Sequence, residues 1–193
     1  AGVSASQVEI QSGIQFYDGM STADIQGILV KSASDLIDLD APNYQYVAAR
    51  LLLFGLRKNL YARIHELPTL IDQIQRGVDK GIYDADILNK YSEKEIETLD
   101  NIIDHERDYL FTYAGLRQVV DKYLVQDRST GEVYETPQFM YMLIAMTIFA
   151  EYPPESRLDY VTRYYNAISR HKINIPTPIM GGVRTPIRQF ASC

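Results

Sequence analysis

Residues 137–150 read "PQFMYMLIAMTIFA", a run without one charged side chain. A segment this apolar has to be buried, and its length decides in what. A bilayer-crossing helix needs about 20 such residues, so this run reads as a helix inside a protein core. Thr136 stands where an N-cap is expected, and Pro137 falls at the first helical position, where its missing N–H is no loss. The rest of the chain must then supply the helices that cover it.

Working outward, "ESRLDYVTRYYNAISR" (155–170) places Leu158, Val161, Tyr165 and Ile168 inward and Arg157, Arg163 and Arg170 outward. On the other side, "YLVQDRSTGEVYE" (123–135) leaves the helical period. Two β-rich runs flank a glycine-bearing turn, which predicts a hairpin over 122–135. "DHERDYLFTYAGLRQVVDKYL" (104–124) reads as helix with a break at 109–113, and Ser92 with Glu95 forms a capping box. A short helix is expected over 84–89, and Pro68 opens another that runs to 79.

Nearer the start, helices are predicted over 4–16, from Ser21 or Thr22 as N-cap to 39, and over 43–64. In the last, Val47, Leu51, Phe54 and Tyr61 form an apolar stripe that Lys58 interrupts, so this lysine either snorkels or meets an anion. The fold class is mainly α, a helical bundle with one β-hairpin. Beyond His171 the helical period vanishes, although "IRQFASC" (187–193) could begin a strand.

The 193-residue chain is 46% hydrophobic and 23% charged, within the range of globular domains. Its net charge of −6, with no basic stripe, argues against nucleic acid as a partner. No segment is long and apolar enough for a membrane span, and no signal-peptide pattern opens the chain. One Cys excludes an internal disulfide framework and suits a reducing, cytoplasmic setting. The absence of a start Met suggests a piece of a longer chain.

The tail "IPTPIMGGVRTPIRQFASC" (175–193) concentrates the chemistry. Thr177 and Ser192 offer hydroxyls, Gly181 and Gly182 would let backbone amides approach a ligand, and Arg184 and Arg188 add positive charge. Such a set could cradle a phosphate; equally, it could be a surface loop whose Gly and Pro only set turns. Cys193 is either a small buried hydrophobe or a thiol made reactive by the nearby arginines. His105, within "IIDHERD", has acidic neighbours, but adjacent residues on a helix point apart, and no metal site is predicted.

Several stretches resemble, in order, the large subunit of class I ribonucleotide reductase, nearest its bacterial class Ia form: "QFYDGMSTADI" (15–25), "DAPNYQYVAARLLLFGLRK" (40–58), "IDHERDYLFTYAGL" (103–116), "KYLVQDRSTGEVYETPQFMYM" (122–142), "RYYNAIS" (163–169) and "PTPIMGGVRTPIRQFASC" (176–193). The resemblance implies that residues 1–64 are the helical half of an ATP-cone, 65–174 a helical domain, and 175–193 a substrate-contacting tail entering an α/β barrel that this chain lacks. Thr22 and Lys58 match effector (ATP or dATP) contacts, Thr177 and Ser192 match substrate contacts, and Cys193 matches one thiol of the redox pair.

The resemblance further implies the reduction of ribonucleoside diphosphates by radical and dithiol chemistry. It implies a radical from a metal-containing small subunit and thioredoxin or glutaredoxin as reductant. Its partners would include the remainder of the large subunit. By itself the chain is expected to be inactive and to hold no cofactor. The competing expectation is a helical phosphate- or partner-binding module with no redox role.

Overall fold

The computed structural model describes residues 2–62 and 66–187. Local signals set most of its helix starts. After α1 (Ala5–Gly13), α2 (Thr22–Asp35) begins where the Ser21 hydroxyl accepts from the Asp24 N–H at 3.1 Å. It ends four residues short of the expected 39, because Asp38 Oδ1 instead accepts from the Asp40 and Ala41 amides in a tight turn. Next comes α3 (Tyr44–Tyr61), and then α4 (Leu70–Asp79), which opens on Thr69. A short α5 (Asp86–Lys90) leads to α6 (Glu93–Asp100), where Ser92 and Glu95 form the expected capping box.

The chain takes a 3-10 turn (His105–Leu110) where helix was expected up to 109. Within the expected break of 109–113 it is extended at Phe111 and Thr112 before α7 (Tyr113–Gln118), which Thr112 caps through the Gly115 N–H. A π-turn (Val119–Tyr123) prolongs α7. The remaining helices are α8 (Pro137–Ile148), α9 (Pro154–Ser169) and α10 (Thr177–Gly182).

The core is built round α8, in which every residue from Pro137 to Met146 is buried. Tyr165 and Ile168 of α9, Leu70 and Ile74 of α4, Leu116 of α7 and Met180 of α10 belong to the same cluster. A smaller cluster of Val8, Ala33, Tyr44 and Ala48 joins α1, α2 and α3. Among the described residues no helix is long and apolar enough to cross a membrane.

Several expectations need correction. No strand occurs among the described residues, and the hairpin expected at 122–135 reduces to one antiparallel bridge between Gln126 and Val133. The π-turn consumes the first residues of the expected strand, and the Val125 N–H goes to the Glu135 side chain at 2.8 Å rather than to a longer ladder. In α3 the face buried most deeply is Ala48, Ala49, Leu53 and Leu56, while Phe54 of the expected stripe is exposed. This helix packs between α2 on one side and α7 on the other, so a single stripe could not describe it. Thr136 occupies the N-cap position of α8 without making a side-chain cap bond.

Arg157, expected outward, is buried. It makes a two-pronged ion pair with Glu95 at 2.8 and 2.6 Å and lies over the Tyr91 ring. The tail is helical over α10, and most of the possible strand at 187–193 lies outside the described residues.

Candidate functional site

Pro176 and Pro178 bracket Thr177 at the start of α10, where proline suits the first turn. Thr177 is exposed, with its hydroxyl 3.3 Å from that of Tyr123. Both line a cleft of about 890 Å³ with Thr112, Tyr141, His171 and Lys172. His171 holds a left-handed backbone (φ 54°) that turns the chain from α9 towards α10. The cleft therefore offers hydroxyls and a cation beside apolar walls. Ser192, Cys193 and Arg188 lie outside the described residues.

Arg184 does not face this cleft as a phosphate ligand. It is 2% exposed, and its Nε lies 3.1 Å from both carboxylate oxygens of Glu135. A second guanidinium nitrogen bonds Glu135 and donates to the Tyr123 carbonyl at 2.9 Å. Glu135 also accepts from the Tyr83 hydroxyl at 2.8 Å, and Gln73 donates to Tyr83 at 2.9 Å. Burial, with the Glu135 charge adding to it, pushes the Tyr83 hydroxyl well above its ordinary value, so it stays a donor. The Asp84 N–H donates to the Arg184 carbonyl at 3.0 Å. Together these bonds fasten the chain just past α10 to the bundle. The expected cradle thus loses one cation. Gly181 and Gly182 are helical rather than part of a loop.

At the other end, Thr22 is the first residue of α2, exposed and next to the capping Ser21. Lys58 is exposed in the last turn of α3. The two sit on helices that pack against each other, but neither lines the groove that opens beside that pair.

A second buried network crosses the core. Arg57 pairs with Asp108 at 3.0 Å, Gln138 donates to the other Asp108 oxygen at 3.0 Å, and Tyr165 donates to Gln138 at 2.8 Å. Burial pushes Asp108 up to about 6 despite Arg57 and Gln138, whose contacts act in the opposite direction. His105 packs edge-on against Phe139 at 4.9 Å, and burial, helped by Arg57, holds it down at about 4. It is a neutral packing residue. Among the described residues no group of three or more His, Cys, Asp or Glu could hold a metal ion.

Sequence reasoning missed Glu135, Tyr83 and Gln73. Glu135 meets Arg184 and Tyr83 across 49 and 52 positions of the chain, beyond any local pattern, and Gln73 joins them through Tyr83. The available hint was a carboxylate two residues before a helix without a charged side chain, where an ion must find a partner or stay in water.

The family model for the all-alpha domain of ribonucleotide reductase matches residues 109–188, which hold α7 to α10 and the clamp residues Glu135 and Arg184. Over 99% of its length the chain is 54% identical to subunit alpha of ribonucleoside-diphosphate reductase 1 from Escherichia coli K12, and 52% identical to the alpha subunit from Haemophilus influenzae. It is 48% identical, over its whole length, to the alpha subunit of Enterobacteria phage T4. The chain spans about a quarter of the length of these relatives, 25%, 25% and 26% respectively. On this similarity residues 109–188 match the all-alpha domain of ribonucleotide reductase, and the chain along nearly its whole length resembles about a quarter of a ribonucleoside-diphosphate reductase alpha subunit.

Proposed function

We propose that this chain is part of the alpha subunit of a ribonucleoside-diphosphate reductase, contributing substrate contacts and one redox thiol to the formation of deoxyribonucleotides. The observation that carries the reading is 54% identity across 99% of the chain to such a subunit. The Thr177 hydroxyl at the mouth of a cleft rich in hydroxyls, with Lys172 beside it, is compatible with a phosphorylated substrate. Thr177 and Ser192 are the substrate contacts, and Thr22 and Lys58 belong to an ATP or dATP effector site. The entry of the tail into a barrel remains part of this proposal.

Replacing the 2′-hydroxyl by hydrogen takes two electrons. Two thiols supply them by becoming a disulfide, and the oxygen leaves as water. Cys193 is one of those thiols, and the other belongs to the remainder of the subunit. The reading includes a radical-generating small subunit and thioredoxin or glutaredoxin as the agent that restores the dithiol.

The test is deoxynucleotide formed per active site, measured with small subunit and reductant present. Residues 1–193 alone should give none. The remaining three quarters of an alpha subunit, added as a second polypeptide, should restore turnover, and Cys193→Ser should then return the mixture to background. Sustained turnover by the chain alone, or unchanged turnover with Cys193→Ser, would overturn the role given to this thiol.

A further inference from the structure

A groove of about 650 Å³ separates the α2–α3 pair from α4, α7 and the 131–134 return. Its floor is apolar: Val30 and Leu56 are buried there, beside Leu52 and Val133. Its rim is basic. Lys31 stands on α2, Arg76 on α4, Lys80 just past the end of α4, and Arg117 on α7. Among the described lining residues Glu132 is the single carboxylate. In a chain of net charge −6 that is a local reversal of sign.

The rim cations keep enough freedom to meet a ligand. Lys31 pairs with Asp35 at 2.7 Å and Arg117 with Asp121 at 2.9 Å, with every one of these side chains at least 41% exposed. Exposed pairs of this kind hold weakly and exchange readily. Lys80 lies 4.6 Å from the centre of the Tyr134 ring, and the Arg76 guanidinium 5.5 Å from that of Tyr61. Lys80 also pairs with the exposed Glu132 at 3.4 Å, a contact as loose as the other two, while the aromatic faces hold both cations at the rim.

We propose that this groove binds a small organic phosphate, its apolar or aromatic part on the floor and its charged end between Arg76 and Lys80. Small-molecule sites are concave and mostly apolar, with a few polar groups that fix orientation, and they occupy about 300–1,000 Å³. The groove satisfies each of these conditions. Neither Thr22 nor Lys58 lines it, although Gln26 and Asn59 beside them do, so the proposal does not rest on the effector contacts.

The probe is 2-naphthyl phosphate, titrated into the 193-residue chain at low salt and followed by amide chemical shifts and calorimetry. Shifts should concentrate at Gly27, Gly55, Gly131 and Tyr134. Inorganic phosphate alone and 2-naphthol alone should each bind about tenfold more weakly, because each lacks one half of the recognition. The double variant Arg76→Gln/Lys80→Gln should weaken the probe about tenfold through loss of charge-assisted contacts, with thermal unfolding unchanged because both side chains are exposed. Lys58→Ala should leave the affinity as it is. Undiminished affinity in the double variant, shifts centred elsewhere, equal binding of inorganic phosphate, or dependence on Lys58 would each overturn the proposal.

Discussion

Arg184 and Glu135 show what one pair of residues can hold. Both side chains are almost wholly excluded from water, at 1% and 0% exposure, so each depends on the other for its charge. Arg184→Met should therefore cost about 3–5 kcal/mol in denaturant unfolding, because it strands a buried carboxylate. Adding Glu135→Leu should recover much of the loss, since an apolar pair of similar volume removes the stranded charge. Two other carboxylates should give the stability curve opposite slopes in different pH ranges. Glu95, held down at about 2 by its bonds to Arg157, contributes stability that is present above its unfolded value and lost as pH falls through about 2. Asp108, raised to about 6 by burial, behaves in the reverse sense: stability present below its unfolded value is lost as pH rises through about 6. Unfolding measured from pH 3 to 7 should show this second loss in the native chain. It should be absent in Asp108→Asn, whatever the absolute stability of that variant.

Among the elements, α4 is fitted most tightly to the turn at its C-terminal end. A Cβ at Gly77 would stand 2.0 Å from the Tyr83 ring, which Gln73 and Glu135 hold in place by hydrogen bonds. Gly77→Ala should lower stability by about 1–3 kcal/mol, as overpacking does. Combining it with Tyr83→Ala should make the extra methyl group nearly neutral against the single Tyr83 variant. Elements set by local chemistry were legible in the sequence: the Ser92–Glu95 box, the Ser21 cap, and α8 as a buried, uncharged helix. What distant partners decide was not. Arg157 reads as a solvated residue until Glu95, 62 positions away, is folded against it. The stripe on α3 failed because two neighbours share that helix, and the hairpin shrank because Glu135 took a backbone donor from it. Of the site, Thr177 was legible as a hydroxyl between prolines, whereas its closeness to Tyr123 depends on a contact across 54 positions.

Among the described residues two cores of unequal size hold the molecule together. The smaller, with Val8, Ala33, Tyr44 and Ala48, ties α1 to its neighbours, helped by the Tyr44 hydroxyl, which accepts from the Ser4 N–H at 3.0 Å. Opening it exposes little apolar surface compared with unpacking α8, so α1 amides should exchange with deuterium at much lower protection than those of Phe139–Met146. Equal protection in both places would mean that the chain opens as one unit. The burial of α8 also bears on synthesis. Part of its cover, including Tyr165, Ile168 and Met180, comes later in the chain, and so does the Arg184 clamp. The roughly 35 residues from the end of α8 to Arg184 take about two to seven seconds to make at about 5–20 residues per second. Throughout that interval the nascent chain carries a greasy helix without its lid. A nascent chain stalled with α8 outside the ribosome and Arg184 still inside it should therefore present a substrate for holding chaperones, and release from them should wait until the tail has emerged.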